Sequence, residues 1–323
     1  MADWLVEEGI GEHRAVRLSG DRIVQARVEW PGRLAAGHVG DAILVSRAAG
    51  APRGMVQFSS GEEALADRLP GEASEGAAIR VEVVRAAIGE RGRTKLAQAR
   101  PSDKPPARPT LADRLQAEGH AAQVVHRFPE CGWDELIGEA LDGTVAFAGG
   151  SLLFAPTPGM TVIDIDGTLS PRELALAAVT PLAEAVRRFD LGGSVGIDFP
   201  TLQAKADRRA VDEALGTALG GWPHERTAMN GFGFVQIVAR LERPSLLHLA
   251  RLSRSGFAAR RLLRRAERVA EPGALLLTCH PAVEAALRPE WREELARRAG
   301  REVRIAADAA LALEGGFTQA VAS

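Results

Sequence analysis

The chain holds only two cysteines in 323 residues, Cys131 and Cys279, too few for a CxxC zinc knuckle or a disulfide framework. Each reads as a small core residue, because free cysteine is usually buried. No apolar run approaches the ~18 residues of a membrane span. The amino terminus, "MADWLVEEGIGEHR", is acidic and lacks the basic start and apolar stretch of a signal peptide, so the cytoplasm is the expected location. Neither sign of charge dominates. The net charge is -2, and of the 40 basic residues only Lys95, Lys104 and Lys205 are lysine. Arginine suits bidentate phosphate contacts, yet arginine beside abundant alanine equally reflects coding bias. No internal repeat is visible. What is present, 46% apolar and 25% charged residues, is ordinary for a globular chain long enough for two or three domains.

The opening alternates like a hairpin, with "HRAVRL" and "RIVQARVE" flanking the turn Ser19-Gly20-Asp21. Short strands continue over 37–98 ("GDAILVSRA", "RGMVQFSS", "AAIRVEVVRAAIG", "RTKLAQAR"), a spacing that suggests a small barrel. "PSDKPPARPT" (101–110) is a proline-rich boundary. Strands then alternate with helices. "MTVIDID" is a strand. The helix after it starts with Ser170 as N-cap, Pro171 in the first turn and Glu173 completing a capping box, and Pro181 should kink or divide it. "GGSVGIDF" is the second strand. The next helix carries Val211, Leu215 and Leu219 on one side and ends at Gly220-Gly221. "GFGFVQIVARLE" completes a βαβαβ run, which predicts neighbouring parallel strands with right-handed crossovers. Residues 251–268 carry seven arginines against Glu267, and Leu262, Leu263, Ala266 and Val269 form an apolar face. The simpler reading of that helix leaves its arginines in solvent; the other is an RNA-contacting helix.

Two aspartates carry the chemistry. Asp164 closes "MTVIDID" and Asp198 closes "GGSVGID", each near the end of an apolar strand expected to be buried. A buried carboxylate asks for a partner, commonly a metal ion. Alternation puts Val162, Asp164 and Asp166 on one face, and adjacent parallel strands bring Asp164 and Asp198 together at their carboxyl ends. Two such carboxylates repel unless a cation lies between them or one holds a proton. Magnesium prefers one or two carboxylates with waters and phosphate oxygens, and can activate water for phosphoryl transfer. The competing reading is that each aspartate merely caps the following turn. "VIDIDGTLS" also fits the haloacid-dehalogenase phosphatase signature, with Asp164 as nucleophile and Asp166 as acid/base. Lys205 is the only lysine after it, however, and no GDxxxD-like segment follows.

The whole arrangement resembles the ribonuclease E/G family over most of the chain. "TVIDIDG" is similar to the family's first metal-ligand strand, with Asp166 in place of a usual asparagine. "RRFDLGGSVGIDF" resembles its "RLRDLGG" motif and following "IDF" strand, and "GFGFVQIVARLERPSL" resembles the next strand with its "PSL" ending. Residues 37–70 resemble the inserted OB-fold barrel, with Phe58 at a base-stacking position; "RVEVVRAAIGERGRTKLAQ" resembles its closing strands, including Arg93 and Lys95 as RNA contacts.

The resemblance implies a mixed α+β chain: an OB-fold RNA-binding barrel inserted before an α/β catalytic core. The segments would be an opening hairpin of a split core domain (1–34), the barrel (35–100), a proline-rich linker (101–128), the core (129–250) and a small helical or mixed domain (251–323). It implies an endoribonuclease acting on single-stranded RNA and leaving a 5′-phosphate. Asp164 and Asp198 would hold magnesium, with manganese as a substitute and Asp166 in support. A homodimer is implied by the family alone. The chain departs from the family in lacking the 5′-monophosphate-sensing region and the CxxC zinc-link, so neither zinc nor a zinc-bridged tetramer is expected. Thr201 replaces a second acid, and Gly231, Gln236 and Ala239 replace arginine, glutamate and arginine. The second function class is therefore an RNA-binding protein of the same descent with little catalysis.

Overall fold

A computed structural model describes residues 3–90 and 93–322. Period-two alternation makes β1 (Trp4–Gly9), β2 (Glu12–Ser19) and β3 (Arg22–Glu29), an antiparallel meander. Gly20, at φ +65°, supplies the left-handed turn between the second and third. The chain then builds a closed barrel from β4 (Val39–Arg47), β5 (Arg53–Phe58), β6 (Glu63–Asp67), β7 (Ala78–Arg85) and, after a separate hairpin of β8 (Ile88–Glu90) and β9 (Arg93–Lys95), β10 (Ala97–Pro101). The order β10-β6-β5-β4-β7, closed by β7 against β10, is compatible with an OB-like barrel. "RTKLAQAR" is thus split: Ala97–Pro101 closes the barrel, while Arg93–Lys95 pairs with Ile88–Glu90 outside it.

After the barrel, Thr110 caps α1 (Leu111–Ala117) in a capping box with Asp113, and β11 (Ala122–Val124) joins β1 in parallel. The stretch 101–128, expected as a linker, therefore contributes a helix and an edge strand. Leu111 and Leu115 pack there on Trp4, Val6 and Ala15.

The third unit comprises α2 (Trp133–Asp142), β12 (Thr144–Phe147), β13 (Gly150–Pro156), β14 (Thr161–Gly167), α3 (Pro171–Arg188), β15 (Gly193–Asp198), α4 (Lys205–Ala218), β16 (His224–Arg226) and β17 (Phe234–Ala239). Its sheet runs β12-β13-β14-β15-β17-β16. β14 and β15 are parallel, as expected, but β17 runs antiparallel to β15. The physical reason lies in β16. That three-residue strand takes the position after the α4 crossover, and the chain turns back over 227–233 to insert β17 between β15 and β16. α3 is not divided at Pro181; it continues to Arg188 because Leu174, Ala178, Leu182 and Val186 on either side are buried. Its start is half a capping box. Ser170 donates its hydroxyl to the Glu173 carboxylate, but the side chain caps no backbone N–H.

The remainder forms α5 (Leu246–Leu252), α6 (Arg254–Ala266), β18 (Ala274–Cys279), α7 (Pro281–Glu284), α8 (Pro289–Ala299), β19 (Val303–Ala307) and β20 (Phe317–Val321), with sheet order β19-β18-β20. Cys131 and Cys279 are buried. Among the described residues no helix is long and apolar enough to cross a membrane.

Candidate functional site

Asp164 and Asp198 stand directly opposite one another in the parallel β14–β15 ladder, at its carboxyl end. Ile163 and Ile165 of β14 and Val195, Ile197 and Phe199 on the β15 segment fill the helix-covered face, each 5% exposed or less. The intervening residues Asp164, Asp166 and Asp198 face outward and are exposed. The expectation of carboxylates closing buried strands is corrected here: these strands are buried on one face only, and the acids occupy the other. They keep their hydration, so no burial penalty compels a cation. What remains is the mutual repulsion of two carboxylates on strands about 5 Å apart. Among the described residues neither forms an ion pair. Asp164 Oδ1 accepts from the Ile165 backbone N–H at 2.9 Å.

Asp166 lies further along β14, opposite Ser151. The described residues contain no group of three His, Cys, Asp or Glu placed to hold an ion, so Asp166 does not complete a three-ligand group with the pair. Two carboxylates with open water around them still suit magnesium.

The residues directly opposite the pair on the flanking strands are uncharged, while Asp166 and Glu225 are further acids exposed on the same face. Leu153 lies opposite Asp164, and Phe234 opposite Asp198. A Cβ on Gly196 would come within 2.5 Å of the Phe234 ring and 3.0 Å of Met160 Sδ, so glycine there is what lets the ring lie across β15. Gln236 and Val238 continue the row along β17, Val238 being 49% exposed.

Sequence reasoning missed Phe232, read only as part of a strand. It lies on the turn into β17 and is 81% exposed. Asn230 Oδ1 accepts from the backbone N–H groups of both Phe232 (2.9 Å) and Phe234 (3.1 Å). Gly233 at φ +92° closes the turn, and Phe199 donates its N–H to the Gly233 carbonyl at 3.1 Å. The signal in the sequence was "GFGF", a phenylalanine held between two glycines.

The barrel candidates fare differently. Phe58 is 5% exposed within the barrel core, its ring 5.5 Å from that of His38. A base-stacking ring needs an open face, so the expectation for Phe58 is corrected: five closed strands have turned it inward. Lys95 is half-buried on β9 opposite Ile88. The expected RNA contact of Arg93 concerns a side chain outside the described residues.

Two arginines of α6 do not lie in solvent. Arg260 and Arg264 are 5% and 7% exposed. Arg264 donates to Glu7 Oε1 (2.7 Å) and to the Glu12 carbonyl (3.0 Å), and Arg14 donates to Glu7 Oε2 (2.7 Å). Arg260 stacks on Trp30 (3.8 Å) and Trp291 (4.5 Å) and donates to the Gly11 carbonyl; burial lowers its guanidinium to about 10. This network fastens the helix to the opening meander. Its partners lie some 250 positions away in sequence, out of reach of any local pattern.

No protein-family model and no curated protein matches this chain.

Proposed function

We propose that this chain is a magnesium-dependent endoribonuclease of ribonuclease E/G type, cutting phosphodiester bonds in single-stranded RNA. The single observation that supports this most is the register of Asp164 opposite Asp198 at the carboxyl ends of two parallel strands. Those two residues would hold the ion. Bound there, it would supply an activated water and neutralise charge on the phosphate. The chain's own contribution is to keep the two carboxylates in fixed register on a rigid sheet, one of them tethered to the Ile165 N–H. The residues opposite the pair, Leu153 and Phe234, are uncharged, so the phosphate would meet no competing cation there. An OB-like barrel is a common oligonucleotide-binding element, and here it would carry the strand toward the core. In the same reading the protein works in the cytoplasm, and a homodimer is its assembly.

The test is incubation of end-labelled single-stranded RNA with the protein in magnesium, in manganese and in chelator. Cleavage leaving a 5′-phosphate is expected, and Asp198→Asn should lower it by more than about a hundredfold, since the lost ion is worth several kcal/mol. RNA retained but uncut in every metal sinks the enzyme. Phosphate released from small phosphomonoesters would instead favour the haloacid-dehalogenase reading of Asp164 and Asp166. One observation favours RNA binding without turnover: the pair has no third ligand among the described residues, and Gln236 and Val238 line the face beside it.

A further inference from the structure

We propose that Phe232 is the base-stacking platform of this site, taking the face of a nucleobase in single-stranded RNA whose phosphate lies at Asp164 and Asp198. The inference rests on the RNA-cleavage reading above and assigns its recognition residue. Phe232 is the most exposed of the large apolar side chains among the described residues, at 81%. Its segment is built rather than loose. Asn230 clamps the N–H groups on both sides of Gly233, and a Cβ on Gly233 would lie 2.4 Å from the Phe199 carbonyl oxygen. Thr201 Oγ1 lies 3.5 Å from the Phe232 carbonyl oxygen. These ties hold the turn against the residues that immediately follow Asp198. The backbone of the turn thereby carries an exposed apolar ring just past the Asp198 end of β15.

The neighbours decide the occupant. A protein surface laid over Phe232 would also dehydrate Asp164 and Asp198, which have no internal counter-charge. A nucleotide offers a planar apolar face to the ring while its phosphate, with a divalent ion, faces the carboxylates. The strand must be single, because in a duplex the base faces are already stacked.

The experiment compares wild type, Phe232→Ala, Phe232→Leu and Phe232→Trp on an oligoribonucleotide with one cleavage site, and on copies lacking one base near that site. Phe232→Ala should raise KM about tenfold or more, the usual scale of one lost base–aromatic stack, with kcat changed less than about threefold. Trp should restore wild-type KM and Leu should restore it only in part. Removing the stacked base should raise the wild-type KM by a similar factor and leave Phe232→Ala unaffected. Manganese binding, followed by electron paramagnetic resonance, should be the same in all four proteins. If wild type cleaves and Phe232→Ala matches its KM, the stacking inference fails while the nuclease reading stands. If wild type cleaves nothing, the nuclease reading fails, and RNA affinity by fluorescence anisotropy in magnesium decides the inference: a tenfold loss in Phe232→Ala supports it and no loss overturns it. A wild-type dimer that dissociates on Phe232→Ala in sedimentation would assign the ring to a contact between copies and overturn it.

Discussion

At the scale of single residues the most consequential group is Glu7, a carboxylate 3% exposed between Arg14 and Arg264. Both oxygens are used, and Oε2 also accepts the Phe128 N–H at 3.2 Å. Gly9 is needed beside it, because a Cβ there would lie 2.3 Å from the Arg264 guanidinium. Removing one partner of such a set leaves buried charge uncompensated. Glu7→Gln should therefore lower the unfolding free energy by about 3–5 kcal/mol in urea titration. Arg304→Ala, which breaks the exposed pair with Glu302, should leave it unchanged within error. The Glu7 interaction also has a pH signature. Burial pushes its carboxyl up, but Arg14 and Arg264 outweigh that and hold it below its ordinary value of 4.5. A depressed carboxylate stabilises the fold above its unfolded value and loses that contribution as pH falls through the folded one. The stability gap between wild type and Glu7→Gln should be full at neutral pH and shrink as the solution is acidified below 4.5. A gap independent of pH would refute the charge argument. None of this was legible in the sequence: a helix rich in arginine reads locally as a wet face, and its counter-charges come from the first dozen residues.

At the scale of elements, α3 and β17 are informative. Pro181 lies inside α3 without breaking it, so the helix forgoes one backbone hydrogen bond held in place by packing on both sides. Pro181→Ala should restore that bond and raise stability by up to about 3 kcal/mol, seen as a higher Tm in calorimetry. In β17 the direction of the strand hangs on the turn before it. Gly233→Ala meets both a positive φ and the Phe199 carbonyl, so a loss of more than about 1 kcal/mol is expected. The alternation of "FVQIVA" announces a strand, but alternation carries no direction. Three residues of β16 are too short to show a period, and without them the third strand reads as parallel.

At the scale of the molecule the barrel is an insertion in the opening sheet. β1 to β3 precede it and β11 follows it, and Val39 and Ala107 exchange backbone hydrogen bonds of 2.9 Å where the chain enters and leaves. It has its own core, including Leu44, Val56, Phe58, Val81 and Val83. Domains inserted this way, with adjacent ends, fold as units. Residues 34–108 expressed alone should show a cooperative thermal transition by circular dichroism. A flat melt would mean the barrel depends on docking, as at the Ala86 N–H to Glu242 carbonyl bond of 2.8 Å.

The sequence by itself determined the strand periods, the barrel and its proline-rich exit, and the equal offsets that set Asp164 beside Asp198. All of these are local: side-chain alternation and turn chemistry act within a few residues. Tertiary structure alone decided which face of the central sheet is open, and so that the aspartates lie in water rather than in a core. It also turned β17 around, drew Phe58 inward, left Phe232 outside and buried Arg260 and Arg264 of α6. Each of those depends on what packs from far along the chain, and no window of sequence contains its partner.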